Sequence, residues 1–261
     1  AAGGDPVSVV ALTSAHGAPG VTTTAFAVAS VWPEVRSGRR VLLIDADPAG
    51  SGLVSGPLRA GIADAAGVSV LAAARLPLSG ERVIGCCVAL DPGGARMVLP
   101  GIADPRQARP LGPTWAALVD VARDLSAGGV DVLVDVGRLG HRWEPTAWLA
   151  AADLLAVVVR GELASVLPAT AAVRALTPQR QGGSAPVGVV VDPGPYTSAD
   201  IASALGVGEV LAVVHDVRVA RALMEGGSGG WIDRSALMRS ARSLVRRVAE
   251  LVPDVDPVVA R

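Results

Sequence analysis

The feature that most limits how this chain can fold is a set of short, uninterrupted apolar runs. Leu154-Leu155-Ala156-Val157-Val158-Val159 and Val187-Gly188-Val189-Val190-Val191 are strand-length and carry no polar side chain. A strand with one face in water alternates apolar and polar residues, so runs like these belong to strands covered on both faces. Longer Ala- and Leu-rich segments separate them. The pattern predicts strands at residues 7–12, 40–45, 96–99, 130–136, 154–160, 187–192 and 210–214. It predicts helices at 21–35, 62–75, 113–125, 165–176, 198–205 and 235–251. Strand and helix in alternation, punctuated by Gly/Pro clusters, point to an α/β fold with a mostly parallel central sheet and helices on both faces. No such cluster is long enough to be a linker, so one domain across residues 1–261 is expected. Only 3% of residues are aromatic against 51% hydrophobic, so the core has to be aliphatic.

The first strand runs into Thr13-Ser14-Ala15-His16-Gly17-Ala18-Pro19-Gly20-Val21-Thr22-Thr23-Thr24, where a helix begins. A strand, a glycine-bearing loop and a helix N-terminus make an anion site, because backbone N–H groups converge there and the helix dipole adds positive potential. A threonine in the first turn can offer its hydroxyl to Mg²⁺. Two predicted strands end in aspartate, Asp45 and Asp135. The plain readings are a tight turn for the glycines and loop capping for the aspartates. Two aspartates at the ends of neighbouring strands favour a retained Mg²⁺ and phosphate site.

The loop resembles the deviant Walker A motif of ParA/MinD proteins, Lys-Gly-Gly-x-Gly-Lys-Thr-Thr. Laid on it, Gly17, Gly20, Thr22 and Thr23 match, Ala18 replaces a glycine, His16 stands at the signature lysine and Val21 at the Walker lysine. Further segments fit in order along nearly the whole chain. Leu42-Leu43-Ile44-Asp45-Ala46-Asp47-Pro48 resembles the second strand and its Asp-x-Asp switch. Asp131-Val132-Leu133-Val134-Asp135-Val136-Gly137 resembles a Walker B strand. Residues 187–193 resemble the strand end that contacts adenine, and 215–222 the closing loop and helix. The resemblance implies ATP or ADP over Gly17, Gly20, Val21, Thr22 and Thr23, with Mg²⁺ near Thr22, Asp45 and Asp135 and with Asp47 positioning water if the site is active. It places Asp192 where the family commonly carries an adenine-binding asparagine. A carboxylate accepts from the N6 amine of adenine but cannot donate to N1.

All 23 Lys+Arg residues are arginine. No lysine can therefore swing in to replace the two that the resemblance leads one to expect. Arg218 or Arg221 could take their place. The Walker lysine offsets charge on the β/γ-phosphates, and losing such a contact costs about 3 kcal/mol in the transition state. The reading is a ParA/MinD-like positioning or scaffold protein, similar to the irregular TadZ/CpaE branch, with weak or absent hydrolysis, or with no nucleotide at all, acting through protein partners. An active ATPase of that family is the alternative. A homodimer is expected to close through nucleotide-independent contacts, with the tryptophan-bearing segments 143–148 and 226–231 as candidate apolar surfaces.

A net charge of −1 offers no global attraction to nucleic acid or acidic lipid. A local patch remains open: Leu237, Ala241, Leu244, Val248 and Leu251 form a stripe at helical spacing, with Arg239, Arg242, Arg246 and Arg247 mostly off it. The plain reading is a stripe packed on the sheet with solvated arginines. The others are a DNA-binding or membrane-surface module. Adjacent Cys86 and Cys87 provide no disulfide framework and read as inert thiols in a reducing compartment. No apolar run is long enough to span a bilayer, and residues 1–6 lack the charged start and apolar stretch of a signal peptide, so a cytoplasmic location is expected.

Overall fold

The structure, a computed structural model, describes residues 9–62, 66–74 and 76–252. Its strands are β1 (Val9–Ser14), β2 (Arg40–Asp45), β3 (Val88–Ala89), β4 (Arg96–Leu99), β5 (Val130–Arg138), β6 (Leu154–Val159), β7 (Val187–Val191) and β8 (Val210–Val213). Its α-helices are α1 (Val21–Val35), α2 (Val68–Ala72), α3 (Gly80–Gly85), α4 (Gly112–Ala127), α5 (Thr146–Ala151), α6 (Leu163–Leu176), α7 (Ser198–Leu205), α8 (Val217–Met224), α9 (Gly230–Asp233) and α10 (Ala236–Leu251). The strands form one sheet in the order β3-β4-β2-β5-β1-β6-β7-β8. Every pairing is parallel except β3 with β4.

The apolar runs do what their composition demands. Alternate residues of each strand face opposite layers. Leu155 and Val157 join the core under α4 to α7, while Ala156 and Val158 join the core under α1, α8 and α10. Helix α1 is buried on most of its surface, including Phe26, Val28, Val31 and Trp32, because α10 lies over it. The α10 stripe of Leu237, Ala241, Leu244 and Val248 is spent on this packing. Its arginines reach sideways to carboxylates, Arg242 to Glu34 at 2.8 Å and Arg247 to Glu209 at 2.9 Å. Among the described residues no helix is long and apolar enough to cross a membrane.

Two expectations need correction. Of the helix predicted at 62–75, residues 63–65 and 75 lie outside the described part, and elsewhere only α2 is helical. Gly67 turns the chain there at φ 96°, packed against the Pro100 carbonyl, so a continuous helix cannot pass. Trp148 is not surface but fully buried, and Trp143 is partly buried with the Arg142 guanidinium 4.9 Å above its ring. Trp231 does stay exposed, under Arg218 at 5.1 Å.

One buried polar cluster ties α1 to the sheet. Asp131, at the start of β5 and wholly buried, accepts hydrogen bonds from Trp32 Nε1 at 2.8 Å, Arg36 Nε at 2.9 Å and Arg39 Nε at 3.0 Å. A buried carboxylate is tolerable only when charge and lone pairs are answered in this way, and removing it leaves its partners unpaired. Asp131→Ala should therefore lower unfolding stability by about 3–5 kcal/mol. Urea denaturation checks this, with the exposed Asp120–Arg123 pair of α4 as control: Asp120→Ala should leave the midpoint nearly unmoved.

Candidate functional site

The sheet order changes direction at β1. From β1 the chain crosses by α1 to β2 on one side, and later builds β6, β7 and β8 on the other. Ligands of open α/β sheets bind in the crevice beyond the strand ends at such a point. Here that crevice holds residues 15–20 and the start of α1.

The loop conformation depends on its glycines. Gly17 at φ 66° and Gly20 at φ 102° are left-handed, where a side chain would be strained. Gly20 is the N-cap of α1 and has no side-chain acceptor for the first-turn N–H groups; the first turn also carries no acid. Those N–H groups are left for an anion. A cavity of about 340 Å³ opens over them, lined by Gly17 to Thr23 and, across it, by Asp47, Ser51, Gly137 and Arg138. Val21 opens the helix and is 7% exposed. His16 is exposed on the loop, beside a smaller cavity that it shares with Arg160 and Glu162.

Of the nearby carboxylates Asp47 lines the cavity, while Asp45 and Asp135 lie buried and outside its lining. Asp45, the last residue of β2, and Asp135, in the C-terminal half of β5, are register partners, and both are wholly buried. Between β1 and β5 the register slips: Leu12 faces Asp135, but Thr13 faces Gly137. Val136 is the extra residue of this bulge, a device that re-aims side chains next to sites. The bulge is held by Thr13 Oγ1, which donates to the Gly137 carbonyl at 2.9 Å. Gly137, at φ 72°, packs against the Asp47 carboxyl so closely that a Cβ there would collide with it.

Burial dominates the titration of this group. Asp45 is pushed up to about 8 by desolvation and then by Asp135, against a 2.6 Å hydrogen bond from Ser51 Oγ. Asp135 is pushed up to about 7 by desolvation, with Thr22 and the Gly137 N–H lowering it and Asp47 raising it. Asp47 is raised by burial and lowered by the Ala49 N–H, His141 and Arg138. Asp135 Oδ2 is buried and has no hydrogen-bond partner. An orphaned, buried carboxylate oxygen beside a threonine hydroxyl fits a hard cation. Among the described residues no three His, Cys, Asp or Glu side chains are placed to hold a metal by themselves. A Mg²⁺ here would complete its shell from Thr22, water and phosphate oxygens.

Asp192 ends β7 at φ 63° and is exposed, with Oδ2 3.7 Å from His215 Nδ1. A further cavity of about 180 Å³ reaches from Gly20 to Val191, Val213, His215 and Arg160, beside Asp192 but without it in its lining. The two arginines expected to replace lysine do not reach the phosphate loop cavity. Arg218 lies over Trp231, and Arg221 pairs with Glu225 at 3.9 Å. Arg138 lines it instead. Sequence reading passes over Arg138 because one more residue in β5 turns it toward the loop, and the bulge leaves no compositional trace.

No family model matches the chain, and no curated protein does. Solved structures do. The MinD cell division protein of Aquifex aeolicus is 18% identical, with a TM-score of 0.71 over 94% of this chain and 98% of that one. A ParA family ATPase from Chlorobium tepidum is 16% identical, with a TM-score of 0.70 over 92% and 98%. An ATP complex of a single-site variant of Cyanothece McdA is 16% identical, with a TM-score of 0.70 over 95% and 98%. The chain has the P-loop fold of the MinD and ParA proteins.

The raised carboxylates set a pH dependence. Both fold with proton affinities above the unfolded range near 4, so between about pH 4 and 8 the folded state holds protons that the unfolded state has released. That stability is present in full below the unfolded pKa, is lost progressively as pH rises from about 4, and is gone once pH has passed about 7 and then 8. Without divalent cation, these two carboxyls should make the melting temperature fall between about pH 4 and 8 and level off above that, and Asp45→Asn should flatten the fall. Calorimetric scans in EDTA across that range measure both.

Proposed function

We propose that this chain is a ParA/MinD-like positioning or scaffold protein with a degenerate nucleotide site. It binds Mg·ATP or Mg·ADP without efficient turnover and acts by binding protein partners. The observation that carries this reading is a contrast among the groups that line one cavity and the buried carboxylates near it. Gly17, Gly20, Thr22, Asp45 and Asp135 keep the arrangement of an anion and metal site. Val21, in a chain with no lysine, heads α1 where the resemblance puts the Walker lysine.

Each group has its own part of the work. The backbone N–H groups of 17–23, Pro19 excepted, would hold phosphate oxygens. Thr22, Asp45 and Asp135 would hold Mg²⁺. Mg²⁺, when bound, neutralises phosphate charge. Asp47 stands at the mouth where an attacking water would be oriented. What the loop lacks is a cation for the charge that develops on the transferred phosphoryl group, and this keeps turnover slow. The ATP carried by the similarly folded McdA supports a nucleotide reading of the cavity. A DNA or membrane role for α10 is disfavoured, because its apolar stripe is consumed in the core and two of its arginines are paired with carboxylates.

Titration calorimetry should detect stoichiometric Mg·ATP binding, with phosphate release near background. Val21→Lys should tighten binding at least tenfold, worth about 1.4 kcal/mol, and adding His16→Lys should restore measurable hydrolysis. A double variant that binds no better than the parent would refute the nucleotide reading. Light scattering should give one mass with and without Mg·ATP, since no lysine crosses to a second subunit; a monomer that dimerises only with ATP would favour a working ATPase.

A further inference from the structure

We propose that Arg138 is the cation this site sets against the phosphates of its ligand, doing from β5 what a loop lysine does elsewhere. The proposal rests on the reading of the phosphate loop cavity as a nucleotide site and adds the residue that makes binding feasible without lysine. Three observations carry it. The first is place. The bulge at Val136 puts Arg138 in register with Ser14, the last residue before the loop, and Arg138 lines the same cavity as Gly17 to Thr23.

The second is availability. Several arginines are engaged: Arg39 with Asp131, Arg96 and Arg242 with Glu34, Arg247 with Glu209, and Arg180 with backbone carbonyls; others without a partner among the described residues, such as Arg59 and Arg246, do not line this cavity. Among the described residues Arg138 makes no hydrogen bond or ion pair through its side chain, although it is exposed beside carboxylates. An unpaired guanidinium at the mouth of an anion cavity is free to turn to a ligand.

The third is anchorage. The residue before it is Gly137, fixed by the Thr13 hydroxyl on its carbonyl and by close packing on Asp47, so the backbone that carries Arg138 has little freedom. A guanidinium stays charged at any working pH and can grip two phosphate oxygens at once. Arg160 is the weaker candidate. It sits on the two flanking cavities, 3.5 Å from His215 Nε2, and is absent from the lining of the main one.

The test is titration calorimetry with Mg·ATP and Mg·ADP on the parent chain, Arg138→Ala, Arg138→Gln and Arg138→Lys, with Arg142→Ala as a control for surface charge. Arg138→Ala and Arg138→Gln should each weaken Mg·ATP at least tenfold, Arg138→Lys should recover part of the loss, and Arg142→Ala should change nothing. Val21→Lys placed in Arg138→Ala should restore the affinity, because both cations serve the same phosphates. Melting temperatures identify any variant that is misfolded, and the Gln variant, which keeps most of the stem, then decides. If the parent binds and Arg138→Gln binds equally well, the role of Arg138 is refuted while the nucleotide reading survives. Equal losses in Arg142→Ala would refute it too, by reducing the effect to general charge. If the parent binds neither nucleotide, the underlying reading falls and this inference with it.

Discussion

The site depends on how β5 is paired and on how α1 is tied to it at both ends. At the start of β5, Asp131 takes hydrogen bonds from Trp32, Arg36 and Arg39 around the far end of α1. At the other end, Asp135 lies beside Thr22 in the first turn of α1. One strand thus holds both ends of the helix whose N-terminus faces the cavity. The bulge at Val136 then bends the strand away from simple pairing, which leaves Asp135 directed inward and brings Gly137 and Arg138 to the loop. Losing the Asp135–Thr22 contact would free the helix end that supplies the N–H groups, and losing Asp131 would free the opposite end.

This arrangement is electrostatically costly by itself. Two wholly buried carboxylates and a third, half-buried one share one end of the sheet, and burial drives protons onto them. Such a cluster is satisfied either by protons or by a cation. The unpartnered Oδ2 of Asp135 marks where a cation would sit, and the unsatisfied first turn of α1 marks where an anion would. A magnesium–phosphate unit meets both demands together. The loop nonetheless carries no lysine or arginine, and Arg138 stands on the opposite wall.

Much of this was legible in the residues. Apolar runs without polar interruption could only be two-faced strands, and α1, β2 and β4 appear with the expected bounds. Asp45 and Asp135 could be named because a polar residue closing an apolar run is conspicuous, and the structure brings them into register. Short elements were not legible. Helix α3 is one and a half turns and β3 two residues, too short for any periodicity to declare itself. The side chains that answer Asp131 could not be inferred either, since Arg36 and Arg39 look like solvated charges at a helix end. Arg138 was hidden for a related reason: its importance comes from a register slip, a property of pairing between strands far apart in sequence. Trp148 misled because a turn-rich neighbourhood suggested exposure, whereas α5 folds it under the sheet.

A crystal structure with Mg²⁺ and a non-hydrolysable ATP analogue tests the central claim most directly, because it locates phosphate, metal and guanidinium together. The account predicts phosphate density over residues 17–23, a metal between Thr22 and Asp135, and the Arg138 guanidinium on the phosphate oxygens. Nucleotide bound at another place, or the loop collapsed into the phosphate space with Arg138 turned away, would contradict it.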